Sequence, residues 1–274
     1  MLGRAWCELL SESDTVFDAE SIDRFDLAHP ETLDIIASGK WELVINCAGY
    51  TDVDGAEDEE SIATAVNGTG TGELAVRCAA GGALLVHYST DYVFRGQSGT
   101  PYTVDAPTDP LSAYGRSKLI GETLLSESGC EYLLVRTSWL YAPWGKNFIL
   151  TMCQLLSDRA EVRVVDDQRG RPTSALHLAR RSRDLLRAEA RGIWHVADGG
   201  ECSWYELAVE IANYVEGSGS VVPCTSEEFA RPAPRPAYSV LDISATEALL
   251  GSMPNWRINV QEVLGRLKQN PVGG

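Results

Sequence analysis

Along the first half of the chain, short apolar runs alternate with stretches of mixed character, the pattern produced when parallel strands are joined by crossover helices. Trp41 to Ala48, Ala83 to Thr90 and Tyr132 to Trp139 read as three buried strands, each rich in Val, Leu or Ile. Helices are expected between them at about 58–80 and 113–128. The loops left over, Gly49 to Gly55 and Arg95 to Pro110, put polar residues at the carboxyl ends of the strands, the edge where open parallel sheets bind ligands. After about residue 142 the pattern changes. Strands shorten to Val162–Val165 and Ile193–Val196, and helices are expected near 146–157, 174–188 and 203–215. Ser203 can cap the last, with Glu206 at the capping-box position. Phe229 to Tyr238 carries three prolines and two arginines and cannot be regular helix; it is a loop, wrapped over a ligand or running along the surface. The reading is an α/β protein with a Rossmann-like doubly wound parallel sheet over 1–142. A smaller substrate-binding lobe follows over 143–274, with segments around 173–190 returning to the first part.

Charge narrows the ligands. The chain has 39 acidic and 23 basic residues among 274, a net charge of −16, which argues against a nucleic-acid partner or an anionic membrane surface. Any anionic ligand must therefore be gripped locally. No apolar run is long enough to span a bilayer, and the opening Met1 to Trp6 lacks the basic and apolar regions of a secretory signal, so a cytoplasmic location is expected. Seven scattered cysteines form no Cys-x-x-Cys pair and read as reduced structural thiols. Four histidines show no ligand spacing, His87 falls inside a strand, and no metal site is expected from them.

The segment Tyr114-Gly-Arg-Ser-Lys118 puts a phenol and an ammonium one helical turn apart on one face. A phenol near its ordinary pKa of roughly 10 exchanges protons at neutrality only with help from a neighbouring cation. Thr90, at the end of a strand, supplies a hydroxyl able to hydrogen-bond a reacting carbonyl oxygen. Tyr-x-x-x-Lys alone recurs by chance in many helices; its place after two strands ending in Asn46-Cys-Ala-Gly-Tyr-Thr51 and His87-Tyr-Ser-Thr-Asp-Tyr-Val-Phe94 is what gives it weight.

With those segments in view, the chain resembles the dTDP-4-dehydrorhamnose reductase family of extended short-chain dehydrogenases. Further ordered matches are Arg136-Thr-Ser-Trp-Leu-Tyr141, Asp167-Gln-Arg-Gly-Arg-Pro-Thr173 and Arg235-Pro-Ala-Tyr-Ser-Val-Leu-Asp242. The resemblance implies NAD(P)H-dependent reduction of the 4-keto group of dTDP-4-dehydro-6-deoxy-L-mannose to dTDP-L-rhamnose. In that role Tyr114 donates the proton, Lys118 tunes it and holds the nicotinamide ribose, and Thr90 orients the ketone. It further implies that Asp91 and Trp139 touch the sugar. Arg231 or Arg235 becomes a candidate pyrophosphate contact, as an Arg fork can bind phosphate bidentately. For the cofactor it implies Leu2 and Gly3, Gly49, Tyr50, Thr51 and Val53, then Asp26 and Leu27 near the adenine. Asp18, after Val16-Phe17, would meet the ribose 2′-hydroxyl and repel a 2′-phosphate, which suits NADH, while NADPH stays open. A Mg²⁺ requirement and a homodimer are compatible with the resemblance.

The chain departs from the family at its start. Met1-Leu2-Gly3-Arg4-Ala5 matches only the last glycine of a Gly-x-x-Gly-x-x-Gly turn and the helix after it. The first strand of the pattern is missing, and the natural protein is expected to begin upstream with an apolar strand and a glycine-rich turn. Two other readings stay open. One is a non-catalytic nucleotide-binding subunit similar to the regulatory subunit of methionine adenosyltransferase; the other is a different sugar-nucleotide reductase, epimerase or dehydratase sharing the tyrosine and lysine.

Overall fold

Apolar residues fill both faces of the first strands because crossover helices cover both sides of a parallel sheet. The computed structural model describes residues 1–11, 17–19, 21–215 and 219–269, and its longer strands are β1 (Leu43–Asn46), β2 (Leu84–Thr90), β3 (Tyr132–Thr137), β4 (Glu161–Val165), β5 (Gly192–His195) and β6 (Ser220–Cys224). Strands β1, β2, β3 and β5 form one parallel sheet in that order, and β4 pairs with β6 in a second parallel ribbon. The principal helices are α1 (Leu2–Ser11), α2 (Gly70–Gly81), α3 (Ala113–Glu127), α4 (Phe148–Asp158), α5 (Ala175–Arg187), α6 (Trp204–Ala212) and α7 (Trp256–Gln269).

Side chains alternate across the sheet with period two. Val86, Tyr88, Leu133 and Val135 meet Leu2, Ala5, Trp6 and Leu9 of α1 together with Leu178 of α5 on one face. Leu85 and Leu134 meet Leu74 and Cys78 of α2, Leu125 of α3 and the 3-10 segment Pro30–Ser38 on the other. Each fully buried leucine of this kind contributes about 1.5–3 kcal/mol relative to exposure. The second core packs Ile149, Met152 and Leu156 of α4, Leu207 and Ile211 of α6, and Trp256 and Val260 of α7 over Val162 and Val164 of β4. Helix α5 and strand β5 belong by contact and pairing to the sheet, although they follow β4 in sequence. Buried Asp198 ties the two regions, accepting from the Tyr141 hydroxyl at 3.0 Å and the Ser174 N–H at 3.2 Å and pairing with His177 at 2.6 Å.

Two expected elements are altered. The helix expected over 58–80 is broken into Gly55–Asp58, Glu60–Thr64, a π turn at Ala65–Thr69 and α2. The cause is Asn67, which turns inward to bond the loop after β1 and the side of α3, and a π turn lets a helix aim one side chain in this way. The strand expected to run to Trp139 stops at Thr137, because Trp139 takes a φ of +47° that extended pairing does not accommodate. Ser203 caps α6, with Glu206 completing the box.

Candidate active site

The first turn of α3 places the phenol. Ser112 accepts the N–H of Gly115 at 3.2 Å, starting the helix one residue before Tyr114. Position 115 has to be glycine, since a Cβ there would stand 2.4 Å from the Tyr92 carbonyl oxygen. The helix can therefore press against the turn that follows β2, and the Tyr92 and Tyr114 rings meet edge-on at 5.8 Å. Tyr114 thereby lies near enough to Thr90, at the carboxyl end of β2, for the Thr90 side chain to act on its phenol. Burial pushes the phenol up to about 12, against the pull of the Thr90 side chain and with a smaller upward push from Asp91.

Lys118 lies one turn on, buried, with Nζ donating to the Tyr88 carbonyl at 2.6 Å and 3.4 Å from Nε2 of His87. Burial brings its ammonium down to about 8, opposed by the charge of Glu122. Glu122 itself is occupied by Arg136, at 2.7 Å in a buried fork. The shared helix face foreseen for Tyr114 and Lys118 is present, but the lysine's short hydrogen bond runs to the strand, not to the phenol. His87 is fully buried and register-paired with Asn46, whose amide is 3.0 Å from Nδ1. Burial and then the Lys118 charge hold the imidazole well below its ordinary range, so it is neutral. From sequence, His87 is assigned only to a strand and Asn46 only to a motif, with no partner for either. The available signal was a pair of polar residues inside otherwise apolar buried strands.

The amide of Asn67 holds the start of the loop after β1. Asn67 accepts the Tyr50 N–H at 2.9 Å and donates to the Tyr50 carbonyl at 2.9 Å and to Ser117 at 3.0 Å, which joins the loop to α3 next to Lys118. The first turn of α1 stands beside the same strand end, with a Cβ at Gly3 falling 3.6 Å from that of Cys47. Leu2, Gly3, Gly49, Tyr50, Thr51 and Val53 are thus on one edge of the sheet. Leu27 is buried, and its carbonyl lies so close to Gly70 that a Cβ there would meet it at 2.1 Å. Asp26 accepts the Ala28 N–H at 2.9 Å. Asp18 is exposed and faces Lys40 at 3.5 Å; its neighbour Val16 lies outside the described residues.

Asp91 points inward. It is 1% exposed, and its Oδ1 accepts from the Thr90 hydroxyl at 3.1 Å. Burial brings this carboxyl up to about 7, while Ser239 and Thr90 pull it down. Trp139 holds its strained backbone between a ring stack on Trp204, 3.6 Å between centroids, and Gly170, where a Cβ would sit 2.5 Å from the indole. Gly170 falls in the Asp167–Thr173 match, whereas no sequence motif singles out Trp204.

The segment Phe229–Tyr238 is a strap pinned to the loop after β1 by Asp54. Arg231 reaches that carboxylate with Nε at 3.0 Å and Nη2 at 2.5 Å, Arg235 with Nη1 at 2.8 Å and Nη2 at 3.0 Å, and the Ala233 N–H donates to it at 3.2 Å. The Arg235 fork and then Arg231 hold the Asp54 carboxyl far below the usual carboxylate range. Gln168, Ser226, Phe229, Arg231 and Arg235 line a cavity of about 200 Å³ beneath the strap. A hollow of about 370 Å³ on the outer side of α3, lined by Leu119, Ile120 and Leu124, carries no group suited to acid–base work. No cluster of three or more His, Cys, Asp or Glu able to hold a metal occurs among the described residues, and none of their helices is long and apolar enough to cross a membrane.

The family model described as the RmlD substrate binding domain matches residues 1–269. The dTDP-4-dehydrorhamnose reductase of Burkholderia thailandensis is 39% identical over 257 residues, covering 87% of this chain and 86% of that one. Among solved structures, a dTDP-4-dehydrorhamnose reductase from Clostridium acetobutylicum superposes with a TM-score of 0.93 at 36% identity, covering 97% of this chain and 96% of that chain. The enzyme from Bacillus anthracis, solved in complex with NADP, gives 0.92 at 34% identity, with 97% and 95% covered.

Proposed function

The chain belongs to the dTDP-4-dehydrorhamnose reductase family, and on that premise we propose that it reduces the 4-keto group of dTDP-4-dehydro-6-deoxy-L-mannose to give dTDP-L-rhamnose. The observation that carries this reading is the convergence of Tyr114, Thr90 and Lys118 at the carboxyl end of β2. The division into a dinucleotide-binding part, 1–142, and a substrate lobe, 143–274, with about 173–190 returning to the sheet, belongs to the same reading.

The residues present fit a nicotinamide dinucleotide. The N–H groups opening α1 and the Gly49–Val53 loop stand together at one strand end, and donors so arranged suit phosphates. Lys118 is a buried cation whose short bond is to a neutral carbonyl, which leaves it donors for ribose hydroxyls. Asp18 and Lys40, side by side, offer a 2′-hydroxyl acceptor and a cation respectively, so both NADH and NADPH are accommodated. When bound there, such a cofactor would supply hydride to C4 of the sugar.

Each remaining part of the reduction falls to a residue of the chain. Tyr114 gives its proton to the ketone oxygen, and the Thr90 hydroxyl orients that oxygen and bonds it as negative charge develops. The phenol's upward shift is opposite to what proton donation at neutrality favours, so Lys118 serves the reaction by turning part of its charge from the Tyr88 carbonyl towards the phenolate. Trp139, fixed by Trp204 and Gly170, forms the apolar wall for the 6-deoxy methyl. Arg231 and Arg235 meet the diphosphate, held in place beforehand by Asp54. The test is incubation of the protein with dTDP-4-dehydro-6-deoxy-L-mannose and either nicotinamide, followed by nicotinamide absorbance and product identification. Formation of dTDP-L-rhamnose supports the reading, and cofactor binding with no consumption of the sugar would favour a regulatory nucleotide-binding subunit. Added Mg²⁺ and sedimentation test the metal requirement and the homodimer.

A further inference from the structure

Resting on the reductase reading, the geometry points to Asn46 and His87 as positioning residues that deny Lys118 an acceptor at the imidazole and so reserve its N–H groups for cofactor and phenol. The register Asn46↔His87 sets the two side chains next to each other across β1 and β2. Alternation puts His87 on the sheet face of Leu85 and Leu134, which α3 helps to cover. There the ring is fully buried between Asn46 and Lys118.

Hydrogen bonds fix where the ring carries its proton. Oδ1 of Asn46 accepts the Ala48 N–H at 3.0 Å, which leaves Nδ2 to face Nδ1 of His87 at 3.0 Å. The opposite amide orientation would aim an NH2 group at the Ala48 N–H, donor against donor. With a donor in front of it, Nδ1 must present its lone pair, so the imidazolium is excluded and the single ring proton sits on Nε2. Nε2 stands 3.4 Å from Nζ of Lys118, and imidazole and ammonium therefore meet donor to donor.

The one short bond of the ammonium is to the Tyr88 carbonyl, at 2.6 Å, and the imidazole turns the positive end of its N–H dipole towards it. The remaining N–H groups of Lys118 are thus kept for ligands. The ammonium also gives up a proton more readily than it would beside an accepting histidine, because the lone pair of an amine can accept from Nε2–H and an ammonium cannot. Glu122, one turn along α3, counters this with its charge but is forked by Arg136 of β3. The other neighbours are uncharged: the Tyr114 phenol on the preceding turn, Ser117 bound to Asn67, and the Tyr88 hydroxyl bound by Trp6 of α1. Burial, joined at His87 by the Lys118 charge, lowers both groups in the same direction.

Two measurements independent of turnover test this. Nitrogen-15 NMR of histidine-labelled protein should show His87 with its proton on Nε2 and none on Nδ1; a proton on Nδ1 overturns the assignment. Asn46→Leu removes the donor and should move the proton to Nδ1, and Asn46→Asp, which keeps an acceptor for the Ala48 N–H, should also place a proton there. A ring unchanged in both variants would show that Asn46 does not set it. Carbon-13 NMR of lysine-labelled protein reads Lys118 itself. Its titration should move to higher pH in Asn46→Leu, because Nε2 then accepts from the ammonium, and Asn46→Leu should have no such effect in a His87→Leu background. No rise, or a rise that survives His87→Leu, would reduce the pair to a structural contact. In steady-state reduction of the dTDP-linked ketosugar, Asn46→Leu should lower kcat about 10-fold and carry the alkaline limb of its pH profile upward with the lysine. A limb that stays in place while the lysine moves would sever the pair from the reaction. Absence of reduction by the wild type would sink the reductase reading, and the two NMR titrations would then decide the Asn46–His87 assignment alone.

Discussion

Tyr114, Thr90 and Lys118 could be picked from sequence because a phenol, a hydroxyl and an ammonium at those positions sit in a strand-then-helix context that few random matches share. Replacing Tyr114 with Phe removes the proton and little volume, so turnover should fall about 10²–10⁴-fold while dTDP-sugar binding persists. Near-normal turnover in the purified variant would remove Tyr114 from the chemistry. Asp91 was not legible as an inward acid, because its burial depends on the strap carrying Ser239, which is remote in sequence. Its raised pKa has a stability consequence whose sign follows from proton counting. From the ordinary carboxylate range up to about pH 7 the folded state holds a proton that the unfolded chain has lost, so stability declines as pH rises across that window. Asp91→Asn has no such group, and the difference in Tm between variant and wild type should grow in the variant's favour over the same window. A constant difference would mean that Asp91 ionises normally in the folded protein.

Among the elements, strands and most helices were readable from periodicity, while the interruptions were not. The broken 58–80 helix follows from Asn67, whose three hydrogen bonds to Tyr50 and Ser117 join residues that no local pattern connects. The proline-rich strap could be excluded from helix, but its attachment to Asp54 depends on a contact spanning 177 residues between Asp54 and Arg231. That carboxylate is depressed by Arg235 and Arg231, so its contribution to stability is present above the ordinary carboxylate range and is lost as pH falls below it. Asp54→Ala should release the strap: amide exchange at Ala233 should speed up, and KM for the dTDP-sugar should rise more than kcat falls. Unchanged exchange would show that the arginines are held by other contacts. The Ser203 cap, by contrast, was visible as a local motif. Its loss in Ser203→Ala should cost about 0.5–2 kcal/mol in thermal or denaturant unfolding.

At the scale of the molecule, the succession of apolar runs was enough for a parallel sheet with its polar chemistry at one edge. The return of α5 was expected with the segment around 173–190, but the joining of β5 to that sheet was not, nor was α7, whose Trp256 and Val260 help close the second core. Those depend on packing between distant segments, to which a period read in a short window is blind. The sheet brings the α1 turn, the Gly49–Val53 loop and the Tyr114 helix to a common edge, and the strap is pinned beside them through Asp54. A reductase needs this arrangement, because hydride and proton must reach adjacent atoms of one ketone. The most direct test is to supply nicotinamide deuterated at the transferable position together with dTDP-4-dehydro-6-deoxy-L-mannose and to locate the label in the product. The account predicts one deuterium on C4 of dTDP-L-rhamnose; recovery of unlabelled ketosugar, or label at any other carbon, would contradict it.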